Sequence, residues 1–85
     1  MPRYRARVEV WLKRDLVDAE GRTVIEALRS LGYKVSDARV GKVYSIEVEA
    51  ESEEGALKVL DEMCRRLLAN PVKDTYSVVL EERRE

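Results

Sequence analysis

The apolar residues that open the chain alternate strictly with polar ones. They occupy the positions of Tyr4, Ala6, Val8, Val10 and Leu12. A period of two residues predicts a β-strand that buries one of its two faces. Trp11 interrupts the alternation because it stands among the charged positions. Its ring either covers the sheet of its own chain or meets another subunit, and the pattern leaves both possibilities open.

Two later segments carry apolar residues at the spacing of an α-helix. The first follows Asp18, whose carboxylate can accept a hydrogen bond from a free backbone N–H. Its apolar stripe comprises Val24, Ala27, Leu28 and Leu31. Gly32 suits the left-handed position just past a helix end. We therefore predict a first helix over residues 19–31.

The second helical segment begins after Ser52, which is a second candidate cap. It carries a broad apolar stripe made of Ala56, Leu57, Leu60, Met63, Cys64, Leu67 and Leu68. Asn70-Pro71 ends the helix, because the residue before a proline is pushed out of the α region. Asn70 and Pro71 are also candidates for a partner contact, although a helix stop is the stronger interpretation.

Strand periodicity returns in residues 43–50 and again in residues 76–81. Residues 35–40 also read as extended, and Gly41 separates them from the strand that follows. Glycine tolerates both bends and bulges, so Gly41 either closes a hairpin or bends one long strand. In the last strand Val79 falls on the opposite face from its apolar neighbours, as Trp11 does in the first.

The predicted order is β-α-β(-β)-α-β within a single domain, residues 1–85. One apolar stripe per helix and one apolar face per strand favour an α+β two-layer sandwich, with an antiparallel sheet and both helices on one of its faces. The arrangement would be ferredoxin-like or related to it. Trp11 and Val79 would then lie on the other sheet face, where they are candidates for a subunit interface.

Composition narrows the classes of function. A chain of 85 residues has a thin core and often needs support from partner subunits. It contains no histidine and a single cysteine, Cys64, which lies on an apolar helix stripe. Triads built on histidine are therefore excluded, and Cys64 is expected to be an inert core residue. No acidic pair stands out as an acid–base site.

Sixteen basic residues are balanced by seventeen acidic ones, which favours neither nucleic acid nor a membrane surface as partner. No apolar stretch is long enough to span a bilayer, and the lone cysteine fits a cytoplasmic protein. The absence of glutamine and a charged fraction of 39% suggest a thermophilic source.

The Gly41-Lys42 pair invites a phosphate-binding interpretation. A phosphate loop, however, requires a helix N-terminus after the glycine and lysine, and here a strand follows. A plain turn is the default, and the alternative is a turn that presents Arg39 and Lys42 to a partner. An RNA-binding module is disfavoured, because the chain has no phenylalanine for base stacking on the sheet.

Four stretches, "VWLKRDLVDAEG", "LGYKV", "DARVGK" and "MCRRLLANPV", together resemble the PurS family. That family is the small subunit of phosphoribosylformylglycinamidine synthase, an enzyme of purine biosynthesis. The resemblance covers nearly the whole chain in order. It departs at Ala19, where the family often has proline, and at Lys73-Asp74-Thr75-Tyr76, where Ile-Glu-Asp-Tyr is common.

The resemblance implies a non-catalytic subunit that binds no cofactor of its own and forms a homodimer or larger homo-oligomer. It would bridge a glutaminase subunit, which releases ammonia from glutamine, and a synthetase subunit, which uses ATP and magnesium. Arg39, Gly41 and Lys42 would then form a turn that contacts one of these partners. The alternative is an ACT-type domain that binds a small molecule, because such domains share the order of elements and also pair through their sheets.

Overall fold

The computed structural model of the chain describes residues 1–84 and contains three strands and two α-helices there. The elements are, in chain order, β1 Arg3–Leu12, α1 Ala19–Ser30, β2 Gly41–Glu49, α2 Glu53–Met63 and β3 Asp74–Arg84. A π-helical turn, Cys64–Leu68, continues α2. The predicted α+β class with an antiparallel sheet and two helices is confirmed.

The sheet has β1 in its centre, with β2 and β3 antiparallel on either side. Ala6 lies opposite Ile46 on one side and Leu80 on the other. Residues that face each other in a sheet point to the same side. The even-numbered residues of β1 therefore share one sheet face with the apolar residues of both neighbours, as the alternation predicts.

The buried core lies between this apolar sheet face and α2. Its members are Tyr4, Ala6, Val8, Val10, Val48, Ala50, Ala56, Leu60, Cys64 and Ala69. No polar or charged residue is buried with them in residues 1–84. Burial raises the pKa of the Cys64 thiol, and the nearby Asp61 carboxylate raises it further. A neutral thiol in an apolar core is a poor nucleophile, which agrees with the structural role predicted for Cys64.

Asp61 connects α2 to the last strand. Its Oδ1 accepts a hydrogen bond of 2.5 Å from the Tyr76 hydroxyl, and its Oδ2 accepts one of 2.9 Å from Arg65 Nε. The Tyr76 hydroxyl, followed by Arg65, holds the pKa of Asp61 below its usual range. This network lies at the rim of the core and ties the helix to β3.

Both predicted helix caps are present. Asp18 Oδ1 accepts a hydrogen bond of 2.8 Å from the Gly21 N–H, and Ser52 Oγ accepts one of 3.0 Å from the Gly55 N–H. Gly32 follows α1 with a φ of +94°, a left-handed conformation that glycine adopts without strain.

The two helices differ in how they meet the sheet. α2 packs on the sheet, whereas no residue of α1 belongs to the core or to the apolar residues around it. Only Gly21 of α1 is buried, and the side chain of Leu31 just past its end is 73% exposed. The prediction that both helices cover one sheet face therefore holds for α2. Within a single chain, α1 does not cover that face.

The overall dimensions reflect this arrangement. The radius of gyration is 16.5 Å, against about 12 Å for a compact chain of this length. The molecule measures 51 × 26 × 14 Å. It is a flat, elongated body with an unusually large surface for its volume. Neither helix in residues 1–84 is long and apolar enough to cross a membrane.

The optional extra strand before Gly41 is not formed. Residues 33–40 are coil, and β2 begins at Gly41, so there is no hairpin at this position. The reason is visible at Val40, whose N–H donates a hydrogen bond of 2.9 Å to Asp18 Oδ2 instead of pairing with another strand.

Asp18 therefore holds two segments at once, and we name its contacts the Asp18 clasp. One carboxylate oxygen caps α1 at Gly21, and the other binds Val40 at the end of the returning coil. Gly21 packs so closely on this coil that an added Cβ would lie 2.5 Å from the Ala38 carbonyl oxygen. The clasp thus joins the two ends of the segment that connects β1 to β2 and contains α1.

A first prediction concerns the core. Leu60→Ala should lower the free energy of unfolding by about 2–5 kcal/mol, because Leu60 is fully buried and the lost side chain leaves a cavity. Leu57→Ala is the matched control, since Leu57 lies on the same helix with its side chain partly exposed. Urea unfolding of both variants measures the difference, and equal losses would contradict the assigned core.

A second prediction concerns the clasp. Hydrogen bonds from the Gly21 and Val40 N–H groups hold the pKa of Asp18 below its usual range. Ionised Asp18 therefore stabilises the fold fully above its unfolded-state pKa of about 3.9, and this stabilisation is lost as the pH falls through the lower folded-state value. Asp18→Ala should lower the melting temperature by several degrees at pH 7.

The difference between the native chain and Asp18→Ala should shrink as the pH falls below about 4. Asp18→Asn, which keeps one acceptor oxygen but loses the charge, should lie between the two at pH 7. Thermal melts at pH 7 and at pH 2–4 measure both effects. A constant difference over this range would show that the carboxylate charge is not what stabilises the clasp.

Candidate interaction site

The residues predicted to contact partners gather at one end of the sheet, with one exception. Trp11 lies opposite Gly41 on β2 and Thr75 on β3. The residues at this end are Trp11, Arg39, Gly41, Lys42, Asn70 and Pro71. Val79 lies further along β3, opposite Arg7, on the same sheet face as Trp11. The sequence could not show this grouping, because residues 11, 41 and 71 come to the same end of the sheet only when the strands pair.

Trp11 packs directly on Gly41. A Cβ added to Gly41 would lie 2.6 Å from ring carbon Cε3 of Trp11, so only glycine leaves room for the ring. The indole Nε1 donates a hydrogen bond of 3.2 Å to Glu9 Oε1. Trp11 thus covers its own sheet in part, and 37% of its surface remains exposed. The glycine serves this ring contact at the start of β2.

Arg39 is occupied within its own chain. Its Nη2 donates hydrogen bonds to the carbonyl oxygens of Leu12 and Lys13, at 3.0 and 3.4 Å. The side chain is half-buried and, with Trp11 and Arg14, lines an open groove of about 680 Å³. Arg39 therefore helps to shape this end of the sheet, and the groove beside it combines an aromatic ring with two guanidinium groups.

Lys42 lies in a different groove from Arg39. It is exposed and shares an open cleft of about 290 Å³ with Lys73 and with the carboxylates of Asp18 and Asp74. The predicted pair of cations around Gly41 is therefore divided between two grooves. A single turn does not display both of them, and Lys42 is the one left accessible to a partner.

Asn70 and Pro71 form the turn between α2 and β3. Asn70 Oδ1 accepts a hydrogen bond of 2.9 Å from the Val72 N–H, and its own N–H donates one of 2.9 Å to Asp74 Oδ2. The Lys73 carbonyl accepts a hydrogen bond of 2.8 Å from the Lys13 N–H, which anchors the turn to the chain leaving β1. Asn70 thus shapes the turn, and exposed Pro71 is left on the surface of the same end.

The sheet face opposite α2 carries paired charges. Arg5 Nη2 lies 2.6 Å from Glu47 Oε2, and Arg7 Nη1 lies 3.2 Å from Glu81 Oε2. Each arginine is thus matched by a carboxylate, and the strand does not present a basic patch of the kind that binds nucleic acid. Exposed Val43 and Val79 stand between these charges. The face thus combines internally paired charges with two exposed apolar side chains, which are the part of it that a partner subunit could bury.

Two features escaped the sequence analysis. Asp18 was predicted only as a helix cap, although its second oxygen binds Val40. The π-helical turn after α2, where the Ala69 N–H donates to the Cys64 carbonyl at 2.9 Å, was also unpredicted. Residues 1–84 contain no cluster of three side chains suited to hold a metal ion.

Comparison with known proteins places the chain in a family. Residues 5–82 match the family model PurS, described as phosphoribosylformylglycinamidine (FGAM) synthase. The phosphoribosylformylglycinamidine synthase subunit PurS of Archaeoglobus fulgidus is 45% identical over 78 residues, which are 91% of this chain and 98% of that protein.

Solved structures give the same result. The crystal structure of PurS from Methanocaldococcus jannaschii matches with a TM-score of 0.84 and 38% identity, over 93% of this chain and 96% of that one. A chain in the structure of PurLQS from Thermotoga maritima matches with a TM-score of 0.89 and 34% identity, over 95% of this chain and 100% of that one. The chain belongs to the PurS family.

Proposed function

We propose that this chain is the small, non-catalytic subunit of a phosphoribosylformylglycinamidine synthase complex in purine biosynthesis. The observation that carries the proposal is its match, at a TM-score of 0.89 over the full length of the other chain, to a component of a structure named PurLQS. The complex would convert formylglycinamide ribonucleotide, glutamine and ATP to formylglycinamidine ribonucleotide.

The role follows from the chemistry of ammonia. Ammonia that escapes into water at neutral pH is mostly protonated, and ammonium is not a nucleophile. A subunit that holds a glutaminase against a synthetase keeps the two active sites close and limits the water between them. The small subunit would contribute positioning, while ATP and magnesium would bind to the synthetase subunit.

The shape of the chain supports a bridging role. A body only 14 Å thick presents two broad surfaces within a short distance of each other. One of its surfaces carries paired charges with Trp11 and Val79, and one end of the sheet adds the grooves beside Arg39 and Lys42. A small subunit can therefore contact several neighbours at once without sharing the same residues.

We also propose that the chain assembles with copies of itself in the cytoplasm. The core rests on α2 and one sheet face, while α1 and the opposite sheet face keep apolar side chains exposed. Burial of such side chains against other subunits is the usual support for so small a domain. The ACT-type alternative is not favoured, because the full-length matches are to PurS proteins.

The experiment that tests the proposal is reconstitution. Synthetase and glutaminase subunits from one organism should form FGAM from glutamine at full rate only when this chain is added. Synthesis from high concentrations of ammonium salt should need the synthetase alone. Full glutamine-dependent activity without the chain would refute the bridging role.

Lys42→Glu should weaken assembly about tenfold, which corresponds to about 1.4 kcal/mol, because it reverses an exposed charge at the predicted contact. Glutamine-dependent activity at limiting subunit should fall with it, while ammonium-dependent activity stays constant. Lys58→Glu, an equal charge change on the exposed side of α2, is the control. Titration of the subunit into the other two measures the effect, and identical curves for Lys42→Glu and the native chain would remove Lys42 from the contact.

Trp11→Ala and Val79→Glu should each shift the chain toward smaller species in sedimentation velocity, because both disturb the predicted subunit interface. Val79 is the cleaner position, since the Trp11 ring also covers Gly41 in its own chain. Leu57→Glu, at an exposed apolar position of α2 on the other side of the sheet, controls for replacing an apolar side chain by a charge. Unchanged sedimentation of both variants would place the interface elsewhere.

A further inference from the structure

The open groove beside Trp11 combines an aromatic ring with two guanidinium groups. Its volume is about 680 Å³, within the roughly 300–1,000 Å³ that is usual for sites of small molecules. Its lining includes Trp11, Arg14, Asp37, Arg39 and Thr75. These residues come from the end of β1 and the turn after it, from the coil before β2 and from the start of β3. Separate segments of the chain therefore bring different chemical groups to one groove.

The indole of Trp11 forms a fixed wall of this groove. Gly41 lies against one face of the ring, since an added Cβ would approach the adjacent ring carbons Cδ2, Cε3 and Cζ3 to 2.6–2.8 Å. At the ring edge, Nε1 donates a hydrogen bond of 3.2 Å to Glu9 Oε1. The ring is thus held from two directions, while 37% of the residue remains exposed. An aromatic ring of fixed orientation is a stacking surface for another planar ring.

Arg39 is oriented by the backbone and keeps donors for a ligand. Its Nη2 donates hydrogen bonds to the carbonyl oxygens of Leu12 and Lys13, at 3.0 and 3.4 Å. A guanidinium also has N–H donors on Nε and Nη1, and it stays charged at physiological pH. Because the backbone already fixes the end of this side chain, an anion that binds it orders little more.

Arg14 adds a second guanidinium from the turn that follows β1. The Leu16 N–H donates a hydrogen bond of 3.0 Å to the Lys13 carbonyl, which places Arg14 at a corner of that turn. The Lys13 N–H donates one of 2.8 Å to the Lys73 carbonyl and anchors the turn to the chain entering β3. The Arg14 side chain itself is exposed. Guanidinium groups bind phosphate oxygens through paired hydrogen bonds.

The charge of this groove differs from that of the neighbouring sheet face. On that face the arginines of β1 form ion pairs with carboxylates. Within residues 1–84, Arg14 and Arg39 form no ion pair of this kind. One carboxylate, that of Asp37, lines the same groove. Two arginines and one aspartate leave the lining with a net positive charge, which favours an anion.

We propose that this groove binds a purine nucleotide, with the base stacked on Trp11 and the phosphate held by Arg14 and Arg39. Such a ligand joins a flat aromatic ring to an anion, and the groove offers a partner for each. A purine suits the indole better than a pyrimidine does, because both ring systems are bicyclic and overlap over a larger area. The Asp37 carboxylate and the Thr75 hydroxyl can accept hydrogen bonds from the ribose or from the edge of the base.

The inference goes beyond the proposed function and does not depend on it. It concerns a ligand that is held at the sheet end beside the candidate partner contacts. The assignment of ATP and magnesium to the synthetase subunit is unchanged.

The candidate subunit interface shares only the Trp11 ring with the groove. Val79 lies opposite Arg7, which is four residues and about 13 Å before Trp11 along β1. Arg14 and Arg39 lie on the other side of Trp11, where Arg39 binds the backbone of the residues after it. A nucleotide in the groove therefore leaves Val79 available to a partner.

A single nucleotide fits this surface better than a nucleic acid strand does. A strand is bound by a row of cations and aromatic rings that follows several successive phosphates. The next arginines along β1 are paired with carboxylates, so the groove stands as an isolated cationic site.

Nuclear magnetic resonance titration of the isotope-labelled full chain tests the site. AMP and GMP should bind with dissociation constants in the micromolar to millimolar range and should shift the indole Nε1–H signal of Trp11 and the backbone amide of Arg14. Adenosine and inorganic phosphate, which each carry one part of the ligand, should bind at least tenfold more weakly. Absence of saturable binding by both nucleotides would overturn the proposal.

Two variants separate the contact to the phosphate from the contact to the base. Arg14→Ala should weaken AMP binding about tenfold and leave adenosine binding unchanged, because it removes a phosphate contact alone. Trp11→Leu should weaken AMP and adenosine alike, because it keeps an apolar side chain but loses the stacking surface. Arg66→Ala, an equal charge change at an exposed position after α2 on the other side of the sheet, is the control. Native AMP affinity in both Arg14→Ala and Trp11→Leu would overturn the site.

A short single-stranded RNA distinguishes a nucleotide site from a nucleic acid surface. Its affinity should stay within tenfold of that of AMP, and a higher affinity would overturn the proposal by assigning the groove to nucleic acid. These results do not bear on the proposed complex, which is tested separately by the reconstitution with synthetase and glutaminase.

Discussion

The packing of the chain depends on the even-numbered face of β1. This strand pairs with both other strands, and four of its side chains, Tyr4, Ala6, Val8 and Val10, form the floor of the core. A single central strand is enough because α2 packs on the apolar sheet face, where Leu60 and Cys64, at the start of the π-helical turn, are fully buried. A core built in this way is too small to cover both helices and both sheet faces.

A carboxylate beside the sheet joins the two segments that lead to and from α1. Asp18 caps α1 with one oxygen and holds the returning coil with the other, so the helix is presented at the end of the sheet. An α-helix with an apolar stripe is normally buried against its own sheet. Here no residue of the stripe joins the core, and the chain is correspondingly thin and long.

The sequence predicted those parts of the fold that local patterns determine. Alternation located β1 and β3, helical spacing located α1 and α2, and the caps at Asp18 and Ser52 are present. It could not predict that α1 would leave the sheet, because the stripe that indicates burial does not say which chain provides the cover. Residues 33–40 have strand-forming composition, but Val40 bonds to a carboxylate, a contact across 22 residues that no local pattern reports.

The candidate site was predictable only in part. Gly41 drew attention as a turn, yet its neighbour across the strands, the Trp11 ring, is what requires a glycine. The contact of Arg39 with a partner stays a prediction, and no local pattern indicated that its Nη2 donates to two backbone carbonyls. The family was identifiable from motifs spread over the chain, whereas periodicity, composition and charge alone indicated only a small α+β domain in need of partners.

The packing of Trp11 on Gly41 also has a practical side. Trp11 is the only tryptophan in the chain, and its indole is about two-thirds shielded by its own sheet at the end where the grooves open. Its fluorescence therefore reports on one known spot, without any label attached. The emission maximum of the indole depends on its contact with water, so it differs between a molecule whose sheet end is exposed to solvent and one whose sheet end is buried by another protein.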